Sequence, residues 1–169
     1  MVIPLLLALG ITVGMRTMTA MAVLCWFAWT GLVPQTGWAF WVGNLVTAVV
    51  FTIFAIGETI GDTLPATPNR TAPGPLVARL VFGGLVGGLG AHGILQPTAG
   101  GVLFGVIGAL IGAYGGFRVR MWLAKWVGRD LPVALGESVL VLVVTVFVGL
   151  KLHAYLAALG LVPRGRWML

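Results

Sequence analysis

Glu58 and Asp62 stand four residues apart, so on a helix their two carboxylates share one face. Two like charges on one face need a cation between or beside them. Two chemistries fit such a pair. Carboxylates can hold Mg²⁺ with water filling its remaining positions, and neighbouring arginines can hold a phosphate or carboxylate. Arg16 and Arg70 are the candidate cations for this pair. Glu137 opens a later apolar segment, where a helix N-terminus favours a carboxylate, and Arg118 closes the segment before it. The candidate binding site is therefore Arg16, Glu58, Asp62, Arg70, Arg118 and Glu137, with Glu58 and Asp62 as the candidate metal pair. A charge inside a membrane costs about 2.5 to 3.5 kcal/mol at a helix centre and usually faces a partner or a cavity. The competing account is that these residues are interfacial ion pairs fixing helix register. No catalytic residue is assigned, because no nucleophile–base pair is recognisable and neither His92 nor His153 is near the acids in sequence.

The elements that must carry these residues are apolar. Thr17 to Gly57 and Leu80 to Phe117 contain no Asp, Glu, Lys or Arg. Each stretch is about twice the roughly 20 residues that one helix needs to cross a bilayer. Turn residues interrupt each near its middle, Gly31 to Gly37 and Gly93 to Gly100. Each stretch thus predicts a transmembrane helical hairpin, and the bracketing charges Arg16, Glu58, Arg79 and Arg118 are expected on one face of the membrane.

The pattern predicts an all-α, polytopic, single membrane domain over residues 1–169 with about five spans. A short apolar helix over 2–14 is followed by spans near 17–33, 38–63, 76–95, 98–124 and 133–159. A proline-rich loop over 65–75 and a basic loop before the last span complete the chain. As one helix, residues 2–33 would reach about 48 Å against a hydrocarbon core of about 30 Å. A break at Gly14–Thr17 is therefore expected, with residues 2–14 interfacial or re-entrant.

Composition agrees: 59% of the residues are hydrophobic and 8% charged, against about 25% charged in soluble domains. Seven basic residues (Arg16, Arg70, Arg79, Arg118, Arg120, Lys125, Arg129) and all four acids fall on the shared face, and Lys151, Arg164 and Arg166 on the other. The positive-inside rule assigns the first group to the cytoplasm and the C-terminus to the outside of a bacterial cytoplasmic membrane. The basic residues lie at membrane ends, so nucleic acid is not an expected partner. Met1 to Gly14 lacks a basic n-region and a clear cleavage site, so a cleaved signal peptide is not expected. Cys25 is expected as a small packed residue. Leu161-Val162-Pro163-Arg164-Gly165 matches the start of a thrombin site, which leaves an engineered origin open for residues 161–169.

Glycines at four-residue spacing (Gly83 and Gly87, Gly84 and Gly88, Gly101 and Gly105, Gly108, Gly112 and Gly116) predict close packing of the third and fourth spans, with a homo-oligomer as a further use of such stripes. Asn44, His92 and Gln96 are expected to be hydrogen-bonded across helices or at turns. Lys151 and His153 are expected to reach toward the outer interface. Trp38 and Trp41, and Trp122 and Trp126, fit aromatic belts at the two interfaces. Gly14-Met15-Arg16 echoes Gly116-Phe117-Arg118, and Ala55-Ile56-Gly57-Glu58 echoes Ala134-Leu135-Gly136-Glu137. The first pair starts one span and ends another, so the echo is taken as chance.

Gly14-Met15-Arg16-Thr17, Glu58-Thr59-Ile60-Gly61-Asp62-Thr63-Leu64-Pro65 and the run from Pro68 to Arg79 together resemble a bacterial family, the domain of unknown function 4126. In that family the residue after the motif aspartate is often lysine, whereas here it is Thr63. The resemblance implies a small polytopic membrane protein and brings no established activity. The functional expectation is a transporter or channel-like protein for a small charged solute or ion. The alternatives are a Mg²⁺-dependent membrane enzyme acting on lipid headgroups and a non-catalytic assembly subunit. Besides the lipid bilayer, the expected partner is that solute; Mg²⁺ is the one cofactor considered.

Overall fold

The computed structural model describes residues 2–62 and 72–161. Arg70, most of the proline-rich loop, Arg164, Arg166 and nearly all of the thrombin-like stretch lie outside the described residues. The described residues form an all-α protein: α1 (Val2–Met15), α2 (Thr17–Trp29), a 3-10 helix (Gly37–Gly43), α3 (Leu45–Gly61), α4 (Pro73–Gly93), α5 (Thr98–Val127) and α6 (Asp130–Ala158).

Among them, α4, α5 and α6 are long and apolar enough to cross a membrane. A fourth span is reached if the 3-10 helix and α3, bent by 63°, count as one. The expected helix over 17–33 is shorter than the sequence suggested, because it ends at Trp29 and Gly31 turns the chain with φ 78°. At 14 and 13 residues, α1 and α2 reach only about 20 Å each. The expected basic loop is also mostly helix. It shrinks to Gly128 and Arg129, where Gly128 takes the left-handed conformation (φ 74°) that ends α5.

The break at Gly14–Thr17 is present and is a single extended residue, Arg16. The helices on its two sides run in opposite directions. Leu6 and Leu9 lie against Gly90, close to Leu152, whereas Met15 lies against Gly116, close to Glu137. Thr17 then meets Glu58 at the end of α3, and Phe27 packs on Gly149 of α6. The α1–α2 pair is thus an inverted hairpin with Arg16 at its tip.

Glycine sets how deep that tip sits. Gly83 and Gly87 of α4 face Gly101 and Gly105 of α5, as the stripes predict. The stripe then changes partner: Gly108 and Gly112 face Gly10 and Gly14 of α1. A Cβ on Gly10 would lie 2.9 Å from Gly108 Cα, and one on Gly14 would lie 2.8 Å from Gly112 Cα. Three backbones therefore meet along α5, and each glycine pair named here is used inside the chain. Such contacts gain dispersion that side chains would prevent.

The isolated polar residues have local partners. Asn44 caps α3, accepting from Val46 N at 2.9 Å. His92 Nε2 lies 3.0 Å from Thr36 O, and Gln96 Nε2 donates to Tyr155 Oη at 3.2 Å. His153 departs from expectation: its Nδ1 lies 2.8 Å from Leu32 O, so it holds the turn after α2 instead of reaching outward.

Gly105→Ala would drive a methyl group into the Gly83 carbonyl, and neither backbone can yield cheaply. A loss of about 1–3 kcal/mol is expected. Gly100→Ala meets nothing within 4 Å, so it should be neutral or slightly stabilising. Thermal unfolding in detergent compares the two; equal behaviour would contradict the close packing.

Candidate charged site at the helix break

A helix end leaves backbone N–H or C=O groups without intrahelical partners. At Arg16 two such ends meet inside the protein, and charged side chains from neighbouring helices answer both. The Glu58 carboxylate accepts from Thr17 N through Oε1 and from Met18 N through Oε2, each at 3.0 Å. This places a negative group at the positive end of α2. Arg79 Nη1 donates to Gly14 O at 2.9 Å and to Met15 O at 3.1 Å, at the negative end of α1. Arg79 Nη2 also stands 3.9 Å from Glu58 Oε1, so the two caps attract each other.

Arg16 itself is fully buried (0% exposed). Its Nη1 pairs with Asp62 Oδ2 at 3.0 Å, and Nη2 donates to Ala134 O of α6 at 3.0 Å. Nη1 also approaches Glu58 O at 3.4 Å. Arg120 of α5 reaches the same carboxylate, with Nη1 3.4 Å from Asp62 Oδ2 and Nη2 donating to Asp62 O at 3.2 Å. Its other edge pairs with both oxygens of Asp130, Nε to Oδ1 at 2.9 Å and Nη2 to Oδ2. Glu137 Oε2 completes the group at 3.7 Å from Arg120 Nη1. Arg120 thereby ties the end of α3 to the start of α6.

Four of the expected site residues come together: Arg16, Glu58, Asp62 and Glu137. The grouping differs from the expected one in three respects. Among the described residues Glu58 and Asp62 turn to different cations; Glu58 goes to the α2 terminus and Arg79, and Asp62 to Arg16 and Arg120. Arg118, expected opposite Glu137, lies exposed on another face of α5, and Arg120 takes that place. Arg79, Arg120 and Asp130 were absent from the expected site. A usable signal exists for the two arginines. Arg79 stands four residues before Gly83 and eight before Gly87, and Arg120 four after Gly116 and eight after Gly112. Both extend glycine stripes that must face neighbouring helices.

Mg²⁺ does not fit the pair proposed for it. Both Glu58 oxygens accept backbone N–H groups, and Asp62 Oδ2 faces two guanidinium groups. No group of three or more His, Cys, Asp or Glu able to hold a metal occurs among the described residues. The arrangement is chemically an anion seat and a cation seat, both filled by the protein's own side chains. Beside it, a groove of about 260 Å³ lies between α5 and α6, with Met15 of α1 also on its lining. Arg120 and Glu137 line it together with apolar residues such as Val119, Leu123 and Leu140.

Comparison of the chain with family models, curated proteins and solved structures gives no match.

Glu58→Ala leaves Thr17 N and Met18 N without their acceptor and should cost about 1–3 kcal/mol. Glu58→Gln keeps one acceptor and should cost less. Arg118→Gln should stay within about 0.5 kcal/mol of the wild type. Unfolding in detergent measures all three; a Glu58→Ala as mild as Arg118→Gln would refute the capping role.

Proposed function

We propose that the protein is a small polytopic protein of the bacterial cytoplasmic membrane, of the kind its resemblance to the domain of unknown function 4126 implies. In this reading it carries or conducts a small charged solute or ion through a site at the charged cluster. In place of five spans we propose four, α3 (with the 3-10 helix) to α6, with α1–α2 as a hairpin entering from the face opposite the cluster. The cluster then lies at the cytoplasmic boundary, on the side of Arg118, Lys125 and Arg129, and Lys151 lies at the other end.

The observation that carries the functional reading is the helix break at Arg16. Discontinuous helices in transporters present N-terminal ends to anionic groups of a substrate and C-terminal ends to cations. Here Glu58 occupies the first position and Arg79 the second. A solute carboxylate or phosphate would take the place of Glu58 at the α2 terminus, and three arginines (Arg16, Arg79, Arg120) stand close by to balance its charge. Exchange between the internal carboxylate and the solute would couple binding to movement of α3 against the α1–α2 tip.

The groove between α5 and α6, lined by Arg120 and Glu137 beside apolar residues, favours a second reading, in which the cluster acts on or binds a lipid headgroup. Absent a fitting metal pair, that reading lacks a reactive group among the described residues.

Thermal stability of the purified protein across inorganic anions, phosphorylated metabolites and carboxylates tests the proposal. The wild type is expected to gain several degrees with at least one small anion, Arg16→Gln to lose the gain, and Arg118→Gln to keep it. No gain with any member of the panel, with Arg16→Gln merely less stable, would return the cluster to structural ion pairing.

A further inference from the structure

We infer that the exposed face of α5 at its charged end is a binding surface for anionic phospholipid. Arg118, Trp122, Lys125 and Trp126 lie at positions i, i+4, i+7 and i+8 of α5, which fall within about 100° of one another around its axis, and Arg129 follows just beyond the end of the helix. All five are exposed, and the two indoles strongly so, Trp122 at 65% and Trp126 at 81%. The acids of this end of the molecule point elsewhere. Asp62, Asp130 and Glu137 gather around Arg120, whose direction from the axis differs from that of Arg118 by about 160°. The face therefore carries cations and aromatics without a carboxylate of its own.

The order of side chains along this face follows the profile of a lipid. Deeper on the same side, Ile107, Ile111 and Tyr114 are exposed and apolar or amphipathic. Gly115 lies beside them, and a Cβ there would meet nothing within 4 Å, so the surface is open at that point. Arg118 follows, with a stem able to lie along apolar surface while its head reaches outward. Next come the indoles, which favour the headgroup boundary, with Lys125 between them and Arg129 beyond. From Ile107 to Arg118 is about 16 Å of helix, close to the depth of one leaflet of a roughly 30 Å hydrocarbon core. An acyl chain along Ile107, Ile111 and Gly115 would thus leave its phosphate within reach of Arg118 and Lys125. Charge selects the headgroup: each Lys or Arg near an anionic surface adds attraction, and a zwitterionic lipid offers no net charge to it.

The inference rests on the membrane reading and is independent of the solute reading. It is tested on the full chain in nanodiscs made with equal parts phosphatidylglycerol and phosphatidylcholine, by measuring which lipid is retained on transfer to detergent. Wild type is expected to retain phosphatidylglycerol in at least about tenfold excess. The variant Arg118→Gln/Lys125→Gln/Arg129→Gln should fall to within about twofold of parity. Its unfolding temperature in lipid-free detergent should match the wild type, since these three side chains make no hydrogen bond or ion pair among the described residues. If the triple variant fails to fold, Lys125→Gln/Arg129→Gln alone should reduce the excess severalfold. Quenching by brominated phosphatidylglycerol gives an independent readout, and most of it should vanish in Trp122→Phe/Trp126→Phe. Equal retention of the two lipids by wild type, or an excess unchanged in the folded charge variants, would overturn the inference.

Discussion

Two helix ends buried at one point set the main constraint on this protein. Breaking a helix at Arg16 leaves the first N–H groups of α2 and the last C=O groups of α1 without helical partners, where water cannot serve them. Unmet, each such group costs about 1–3 kcal/mol. Glu58 and Arg79 meet the demand with charges whose signs match the two helix dipoles. Two helices therefore cannot shift without uncovering backbone: α3, which carries Glu58, and α4, which carries Arg79. The guanidinium of Arg16 adds α6 to the same knot through Ala134 O.

Glycine packing and the charged knot depend on each other. Gly10 and Gly14 let α1 lie backbone-to-backbone on α5, and this contact carries Met15 and Arg16 into the protein. Burial of Arg16 then requires Asp62 close by, because an uncompensated buried charge costs several kcal/mol. Asp62 in turn engages Arg120, which continues the stripe of Gly112 and Gly116 on α5. The stripe that brings the helices together thus ends in the arginine that locks them. Away from the knot the fold is looser. In α3 only Ala48 is buried, so most of that helix remains as apolar surface.

Much of this was legible in the sequence. The charge-free stretch over 80–117 with its central turn marks the α4–α5 hairpin, and four-residue glycine spacing marks the contact between its arms. The need to break residues 2–33 followed from length alone. Pairing inside the cluster was not legible, because helix spacing tells which residues share a face and not which neighbour they meet. Glu58 and Asp62 illustrate this: they share a face, yet one turns to backbone N–H groups and the other to two arginines. Arg118 and Arg120 are two residues apart, which places them on nearly opposite sides of α5. Only the glycine register separates the half-buried, inward-facing one from the exposed one. The span count also misled, since hydropathy reports apolar residues and not where Gly31 or Arg16 stops a helix.

The central claim is that Arg16, buried at the helix break, and Asp62 act as one unit. A double-mutant cycle with Arg16→Gln, Asp62→Asn and the pair, measured by unfolding in detergent, tests it most directly. The account predicts that each single variant loses at least about 3 kcal/mol and that the double variant loses at least about 2 kcal/mol less than the sum. Single losses that add within about 0.5 kcal/mol would contradict it, because the two residues would then stabilise the fold independently.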